Sequence, residues 1–175
     1  MNWGNYLFGF QGRINRAKIW LFVLIAIVVY IVYFTAVAVV FGGSIVAMVK
    51  GGPAGMMAGG ATIGAAALAS ILLYLIVLYC GIAVSVKRLH DRNKSAWWIV
   101  VFIVIPIVLS WINLATMLSA MNAGANAAAP NPMMSLVGVA SLILSIWGFV
   151  ELYCLRGTEG PNAYGPDPLA GESAA

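Results

Sequence analysis

The chain has 175 residues, of which 63% are hydrophobic and 8% are charged, with a mean hydropathy of +0.99. A soluble domain carries about 25% charged residues, so this composition excludes a water-soluble globule, and it excludes disorder because disordered chains are poor in apolar residues. The net charge of +4 comes from short basic clusters beside apolar runs, which favours membrane anchoring over nucleic-acid binding.

The first segment of the chain is rich in aromatic residues. Trp3, Tyr6, Leu7 and Phe10 fall at helical spacing, and no charged residue precedes Arg13. An apolar face of this kind is typical of a helix that lies in the plane of the membrane surface. We therefore expect a short interfacial helix on the inner leaflet.

Four continuous apolar runs follow, at about residues 19–41, 62–86, 97–118 and 135–155. A helix needs roughly 20 apolar residues to cross the hydrocarbon core, and continuous rather than alternating hydrophobicity favours helices over a β-barrel. The first run exceeds the core of a cleaved signal peptide, which has about 7–15 residues, so we expect it to be retained. The predicted fold is all-α: a polytopic transmembrane four-helix bundle in a single domain over residues 1–175, with an irregular tail at 156–175.

Two loops connect these spans on the side opposite the termini. The first, residues 42–61, is rich in Gly, Ala and Met and is predicted to be a flexible linker. Small residues at Gly55, Gly60 and Gly64 permit close helix approach, either within one molecule or between two copies. The second loop, residues 122–134, carries no charge.

Several residues mark the expected ends of spans or breaks within them. Asn15 is a suitable N-cap for the first span, and Asn131 followed by Pro132 is typical of the start of the fourth. Gly157 is a suitable C-terminal cap after the fourth span. Pro106 is expected to kink the third span, because proline removes a backbone hydrogen bond.

The distribution of basic residues predicts the orientation. Lys50 lies alone on one side of the predicted spans, and the other eight basic residues lie on the opposite side: Arg13, Arg16, Lys18, Lys87, Arg88, Arg92, Lys94 and Arg156. Basic residues are retained in the cytoplasm, so both termini are expected to be cytoplasmic.

Three motifs converge on this basic side. They read GRINR at residues 12–16, KRLHDR at 87–92 and RGTEGPNAYGPDP at 156–168. Together with the aromatic-rich start, they resemble a bacterial inner-membrane family catalogued as domain of unknown function 805. The resemblance spans nearly the whole chain and implies a small multi-helix inner-membrane protein, with no established activity to carry over.

Glu151 is the single charged residue within the fourth span. It lies about one turn, roughly 6 Å, before the end of the helix, where a carboxylate faces the negative end of the helix dipole. We expect it to pair with a cation, with Arg88 preferred and Arg16 the alternative. A proton or ion relay through Glu151 is the competing functional interpretation.

His90 and Asp91 could be read as an acid–base or metal-binding dyad. Adjacent residues at a helix end point in different directions, so we expect Asp91 to pair with an arginine and His90 to lie among the lipid headgroups. Asp167, between two prolines, is expected to pair with Arg13 or Arg16.

The sequence predicts no catalytic residue, metal or cofactor. Cys80 and Cys154 are interpreted as small buried hydrophobes rather than as a disulfide or a metal site. The predicted structural or lipid-facing residues are Arg13, Arg16, Arg88, His90, Asp91, Arg92, Glu151, Arg156 and Asp167.

The preferred functional hypothesis is a non-enzymatic scaffold or accessory protein. Its basic cytoplasmic face would contact anionic lipid headgroups or a partner membrane protein, and self-association is possible. Nucleic acid is not an expected partner. The two alternatives are a small transporter or channel subunit that uses Glu151, and a lipid-modifying enzyme that uses His90 and Asp91.

Overall fold

The computed structural model describes residues 2–123 and 132–170. These residues form an all-α protein, as predicted, and four of its helical segments are long and apolar enough to cross a membrane. The helices are α1 (Trp3–Phe8), α2 (Arg16–Lys50), α3 (Gly52–Asp91), α4 (Ile105–Ala123) and α5 (Pro132–Phe149), with π-helical turns at Val100–Val104 and Val150–Cys154. Within the predicted second loop, residues 124–131 lie outside the described residues.

The chain comprises two compact units, of which the first is Trp20–Gly81. It contains most of α2, with 35 residues in all, and most of α3, with 40. At 1.5 Å per residue these helices are about 52 and 60 Å long, so each exceeds a hydrocarbon core of about 30 Å. The predicted flexible linker at residues 42–61 was therefore wrong, because helix continues to Lys50 and resumes at Gly52.

Glycine makes this tight connection possible. Gly52 has a φ of +59°, a left-handed conformation that side chains other than glycine rarely adopt. Two turns further, a Cβ on Gly59 would lie 2.9 Å from the carbonyl oxygen of Ser44. The glycines that suggested a linker instead allow α2 and α3 to pack closely at their connected ends.

The small-residue prediction holds for part of this helix pair. Gly55 packs against the backbone of Ala47, whereas Cβ atoms built on Gly60 and Gly64 would meet nothing within 4 Å in the part of the chain that the structure describes. Further along the pair, the hydroxyl of Tyr33 donates to the carbonyl of Ala66, at 3.1 Å. The helices are therefore held by close backbone approach at one point and by a hydrogen bond at another.

The second unit comprises Met1–Ile19 and Ile82–Ala175. In it, α1 begins at an N-cap, Asn2, whose side chain accepts from the Asn5 N–H. The predicted N-terminal helix is confirmed. Its Tyr6 is buried, whereas Trp3 and Phe8 are each 52% exposed.

Pro106 is preceded by the π-helical turn Val100–Val104. Proline has no N–H to donate to the carbonyl four residues earlier, and here the backbone adopts the wider π-helical spacing just before it, with Ile105 donating to Val100. Phe102, within this turn, is buried and packs edge-on to Trp147 of α5, with ring centroids 5.1 Å apart. The break in regular helix thus coincides with the contact between the third and fourth spans.

The start of α2 and the start of α5 agree with their predicted caps where the structure describes them. The side chain of Asn15 accepts from the Lys18 N–H at 3.1 Å. Pro132 is the first residue of α5, and Asn131 lies outside the described residues. The interpretation of residues 1–175 as a single domain stays a prediction.

Candidate functional site

Asp91, the last residue of α3, is the centre of a buried charge cluster. Its Oδ1 accepts from Nε of Arg13 at 3.2 Å and its Oδ2 accepts from Nη1 of Arg88. The arginine side chains are 1% and 0% exposed, and that of Asp91 is 4% exposed. The predicted pairing of Asp91 with an arginine is confirmed, and the carboxylate serves two of them.

Arg13 also holds the C-terminal tail. Its Nη1 donates to the carbonyl oxygens of Gly160 at 2.8 Å and Gly165 at 3.2 Å, and its Nη2 donates to that of Thr158 at 2.7 Å. A guanidinium presents five donors in a rigid fork, which suits it to several acceptors in one plane. Up to residue 170 the tail is irregular, as predicted, and this one buried side chain binds three of its backbone carbonyls.

The tail makes further contacts with the end of α3. The Thr158 N–H donates to the Asp91 carbonyl at 2.8 Å, and the Asn162 side-chain amide donates to the His90 carbonyl at 2.9 Å. The ring of Tyr164 stacks on that of His90, with centroids 3.9 Å apart and planes 4° apart. Thus the second and third motifs bind each other, and the first motif joins them through Arg13.

Gly157 has a different role from the predicted one. The helix that precedes it ends in the π-helical turn Val150–Cys154, and Leu155 is already extended. A Cβ on Gly157 would overlap the carboxylate of Asp91. The glycine is therefore needed for close approach of the tail to Asp91, not for capping.

Arginines replace the glycine cap at the end of the fourth span. Arg88 donates to the carbonyls of Leu152, at 3.0 Å, and Leu155, and Arg16 donates to that of Cys154 at 3.3 Å. The last carbonyls of a helix lack partners within it, and a cation at this end complements the helix dipole. Buried Arg88 thereby donates both to the carbonyls at the helix end and to the carboxylate of Asp91.

Glu151 pairs with other cations than those predicted. Its Oε1 accepts from Nε of Arg92 at 2.7 Å and from Nζ of Lys94 at 2.6 Å, and its side chain is 5% exposed. The predicted pairing with Arg88 or Arg16 was wrong. Arg88 lies three residues before Asp91 on the same helix, where side chains face each other, so its nearest carboxylate is within its own helix.

Asp167 turns the tail by binding backbone N–H groups. Its Oδ2 accepts from Gly160 and its Oδ1 from Leu169, each at 2.9 Å. These hydrogen bonds, with the charges of Arg13 and Arg156, lower the pKa of the Asp167 carboxyl below its usual value. The predicted ion pair with Arg13 or Arg16 was wrong, because the carboxylate binds N–H groups of its own tail.

The side chains of His90 and Asp91 diverge, as expected for neighbours at a helix end. The His90 ring is half-buried against Tyr164, and its Nδ1 has no hydrogen-bond partner among the described residues. Within that same set, no three His, Cys, Asp or Glu side chains meet in a group that could hold a metal ion.

The remaining predicted residues lie nearer the surface. The Arg156 side chain is 66% exposed and pairs at 3.3 Å with Glu159. Cys80 is buried, as predicted, whereas Cys154 is exposed at the end of its helix, and both are free thiols. The interpretation of Cys154 as a buried hydrophobe was wrong.

The family description "Protein of unknown function (DUF805)" matches residues 7–166 of the chain. The chain belongs to this family. The matched range includes the two motifs at residues 12–16 and 87–92 and most of the third, so the resemblance seen in them is confirmed.

Two relatives in Escherichia coli (strain K12) are similar over nearly their whole length. "Inner membrane protein YhaH" is 29% identical over 164 residues, which cover 94% of this chain and 89% of the relative. "Uncharacterized protein YiiR" is 30% identical over 164 residues, which cover 93% and 87%. No solved structure matches the chain. This protein is thus a membrane protein of the DUF805 family, with a relative named as an inner membrane protein.

Sequence reasoning missed the roles of Lys87 and of the tail backbone. Lys87 is buried, and its Nζ donates to the carbonyls of Asn5 at 2.7 Å and Tyr6 at 2.6 Å. Its place in the KRLHDR motif identified it only as one more basic residue. The Arg13 contacts could not be found either, because their acceptors are backbone carbonyls, which every residue has.

Proposed function

We propose that this protein is a non-catalytic scaffold of the bacterial inner membrane. Its basic end would contact the anionic headgroups of the inner leaflet and present a fixed surface to a partner membrane protein. The observation that supports this proposal is that the buried acidic residues and His90 bind other side chains of the protein. Asp91 joins two buried arginines, Glu151 binds Arg92 and Lys94, and His90 stacks on Tyr164.

These ion pairs stabilise the basic end, and the basic residues in excess of the acidic ones remain available for binding. The eight basic residues of this end face four described acidic residues, so the excess is positive. Basic residues near an anionic leaflet contribute about 1 kcal/mol each to attraction. Arg156 and Arg16 are the exposed arginines of the cluster, and a hydrogen bond from Arg92 to the Arg156 carbonyl, at 3.1 Å, fixes the backbone at Arg156.

The orientation is the first test of this proposal. We expect both termini to be cytoplasmic, because Arg13, Arg88 and the tail meet in one cluster and basic residues are retained in the cytoplasm. An alkaline phosphatase fused after the C-terminus should be inactive, whereas one fused after Gly51 should be active. A fluorescent protein should show the reverse pattern. An active phosphatase at the C-terminus would contradict the proposal.

Site-specific photo-crosslinking in native membranes tests the scaffold role. A photo-reactive amino acid in place of Glu159, whose side chain is 77% exposed beside Arg156, should yield a discrete crosslinked protein. The same amino acid in place of Met57, which is 79% exposed in the other unit, is the matched control. The double substitution Arg16→Gln and Arg156→Gln should reduce the Glu159 product several-fold. A product of twice the chain's mass would make the partner a second copy, and no product at any exposed tail position would contradict a scaffold.

The competing functions make different predictions. A transporter that uses Glu151 should lose flux in Glu151→Gln while it still folds, and an enzyme that uses His90 should lose turnover in His90→Ala. We expect Glu151→Gln to lower stability instead, because Arg92 and Lys94 lose their shared carboxylate. A reconstituted ion flux that depends on Glu151 would overturn the scaffold proposal.

A further inference from the structure

A cavity of about 230 Å³ lies between α1, the segment that follows it and the end of α3. Three cations line it, Arg13, Lys18 and Lys87, together with the amide side chains of Asn2, Asn5 and Gln11. No Asp or Glu among the described residues lines it. Ammonium and amide groups are hydrogen-bond donors, so the walls of this cavity suit an anion.

Lys87 is the strongest indication of an anion site, because its buried charge has no counter-ion among the described residues. It is 2% exposed, and its Nζ donates to the carbonyl oxygens of Asn5 and Tyr6. An ammonium has three donors, so one remains for a ligand. Its charge is met by two backbone dipoles and by the face of the Tyr6 ring, 5.7 Å away.

Burying an ion is energetically costly unless an opposite charge compensates it. The four described acidic residues are committed elsewhere: Asp91 to Arg13 and Arg88, Glu151 to Arg92 and Lys94, Glu159 to Arg156, and Asp167 to the tail backbone. The fifth, Glu172, lies outside the described residues. The described part of the chain therefore has a cavity beside Lys87 but no acidic side chain that pairs with it.

The surroundings of the cavity point to an amphipathic anion. On the segment that forms one wall, Trp3 and Phe8 are each 52% exposed and Phe10 is 40% exposed. Large apolar side chains beside cationic donors are typical of a segment that lies at the level of lipid headgroups. An anion that carries acyl chains suits both the donors of the cavity and these exposed apolar side chains.

We propose that this cavity binds the phosphodiester group of an anionic phospholipid. Lys87 and Lys18 donate to the phosphate oxygens, and the exposed aromatic side chains of residues 3–10 lie beside the acyl chains. The inference deepens the proposed function, since it requires this end of the protein to face a leaflet that contains such lipids. It names a specific lipid site, distinct from general attraction to a charged surface.

Thermal unfolding of the purified full-length protein in a neutral detergent tests the site. Added phosphatidylglycerol should raise the midpoint of the wild-type protein by several degrees, because a ligand that binds only the folded state stabilises it. Phosphatidylcholine and inorganic phosphate at the same concentration should give little change. Native mass spectrometry should show one retained phosphatidylglycerol per chain.

The variants compare this site with an exposed one. Lys87→Met and Lys18→Gln should each weaken the phosphatidylglycerol response at least tenfold in concentration. Lys50→Gln, which removes an exposed cation outside both the cavity and the basic cluster, should leave the response unchanged. Lys18 is half-buried, so its substitution keeps the test usable if Lys87→Met fails to fold.

Four results would overturn the proposal. Equal stabilisation by phosphatidylcholine, or an unchanged response in Lys18→Gln, would show that the cavity does not select this lipid. Equal stabilisation by inorganic phosphate would contradict the lipid assignment. Strong stability coupling between Lys87→Met and Glu172→Gln would assign the anion to the chain's own tail. The crosslinking at Glu159 uses no added lipid, so it tests the scaffold proposal independently of this lipid site.

Discussion

Replacement of Asp91 by Asn is expected to lower the free energy of unfolding by about 3–5 kcal/mol, which is the usual cost of removing one partner from a buried ion pair. The substitution keeps the volume of the side chain but leaves Arg13 and Arg88 buried, at 1% and 0% exposure, without their shared anion. At roughly 2–4 °C per kcal/mol for a chain of this size, the melting midpoint in detergent should fall by about 10 °C. Tryptophan fluorescence during heating measures the shift.

The matched control is Glu159→Gln, which removes an acidic residue from an exposed ion pair. Its partner Arg156 is 66% exposed, and exposed pairs contribute about 0–1 kcal/mol, so its midpoint should hardly change. The double variant Asp91→Asn with Arg13→Gln removes one of the stranded cations, so its loss should be smaller than the sum of the two single losses. If Asp91→Asn melts like the control, the cluster is not the stabilising centre described above.

Substitution of Arg13 by Lys is expected to release the C-terminal tail while conserving charge. A lysine cannot reproduce the planar fork that reaches the carbonyls of Thr158, Gly160 and Gly165. Each charge-assisted hydrogen bond contributes about 1.5–3 kcal/mol. A loss of about 2 kcal/mol in local stability corresponds to roughly 30-fold faster amide hydrogen exchange in the tail.

Hydrogen exchange read by mass spectrometry on peptides from residues 155–170 measures this release. Arg16→Lys is the control, because Arg16 is exposed and makes a single 3.3 Å hydrogen bond to Cys154. Exchange in the tail should be nearly unchanged in that variant, and exchange in α2 should be unchanged in both. Equal tail protection in Arg13→Lys and the wild type would mean that charge alone holds the tail.

The four membrane-length helices could be predicted because they follow from composition. A long apolar run in a backbone that must satisfy its own hydrogen bonds has few options besides helix. The connection at residues 42–61 could not be predicted in the same way. Glycine is common both in flexible linkers and at points where two helices touch, and the contact of Gly59 with Ser44 exists only when α2 and α3 are packed.

For two of the acidic residues, the sequence predicted correctly that an ion pair forms, but it did not always predict the partner. Asp91 was correctly paired with an arginine, and Glu151 was correctly expected to bind a cation. The identity of the cation could not be predicted from depth in the membrane, because Arg88 binds Asp91 within its own helix and leaves Glu151 to Arg92 and Lys94.

From the order of its residues alone, the chain dictates a helical membrane protein with its ionisable groups concentrated near one end, because hydrophobic length and charge placement are properties of the linear chain. Folding alone decides that Arg13 reaches the tail backbone and that Lys87 is buried beside a cavity lined by cations. Such contacts join segments up to 152 residues apart, and many of their acceptors are backbone carbonyls. A carbonyl carries no residue identity, so only its position in three dimensions can reveal it as a partner.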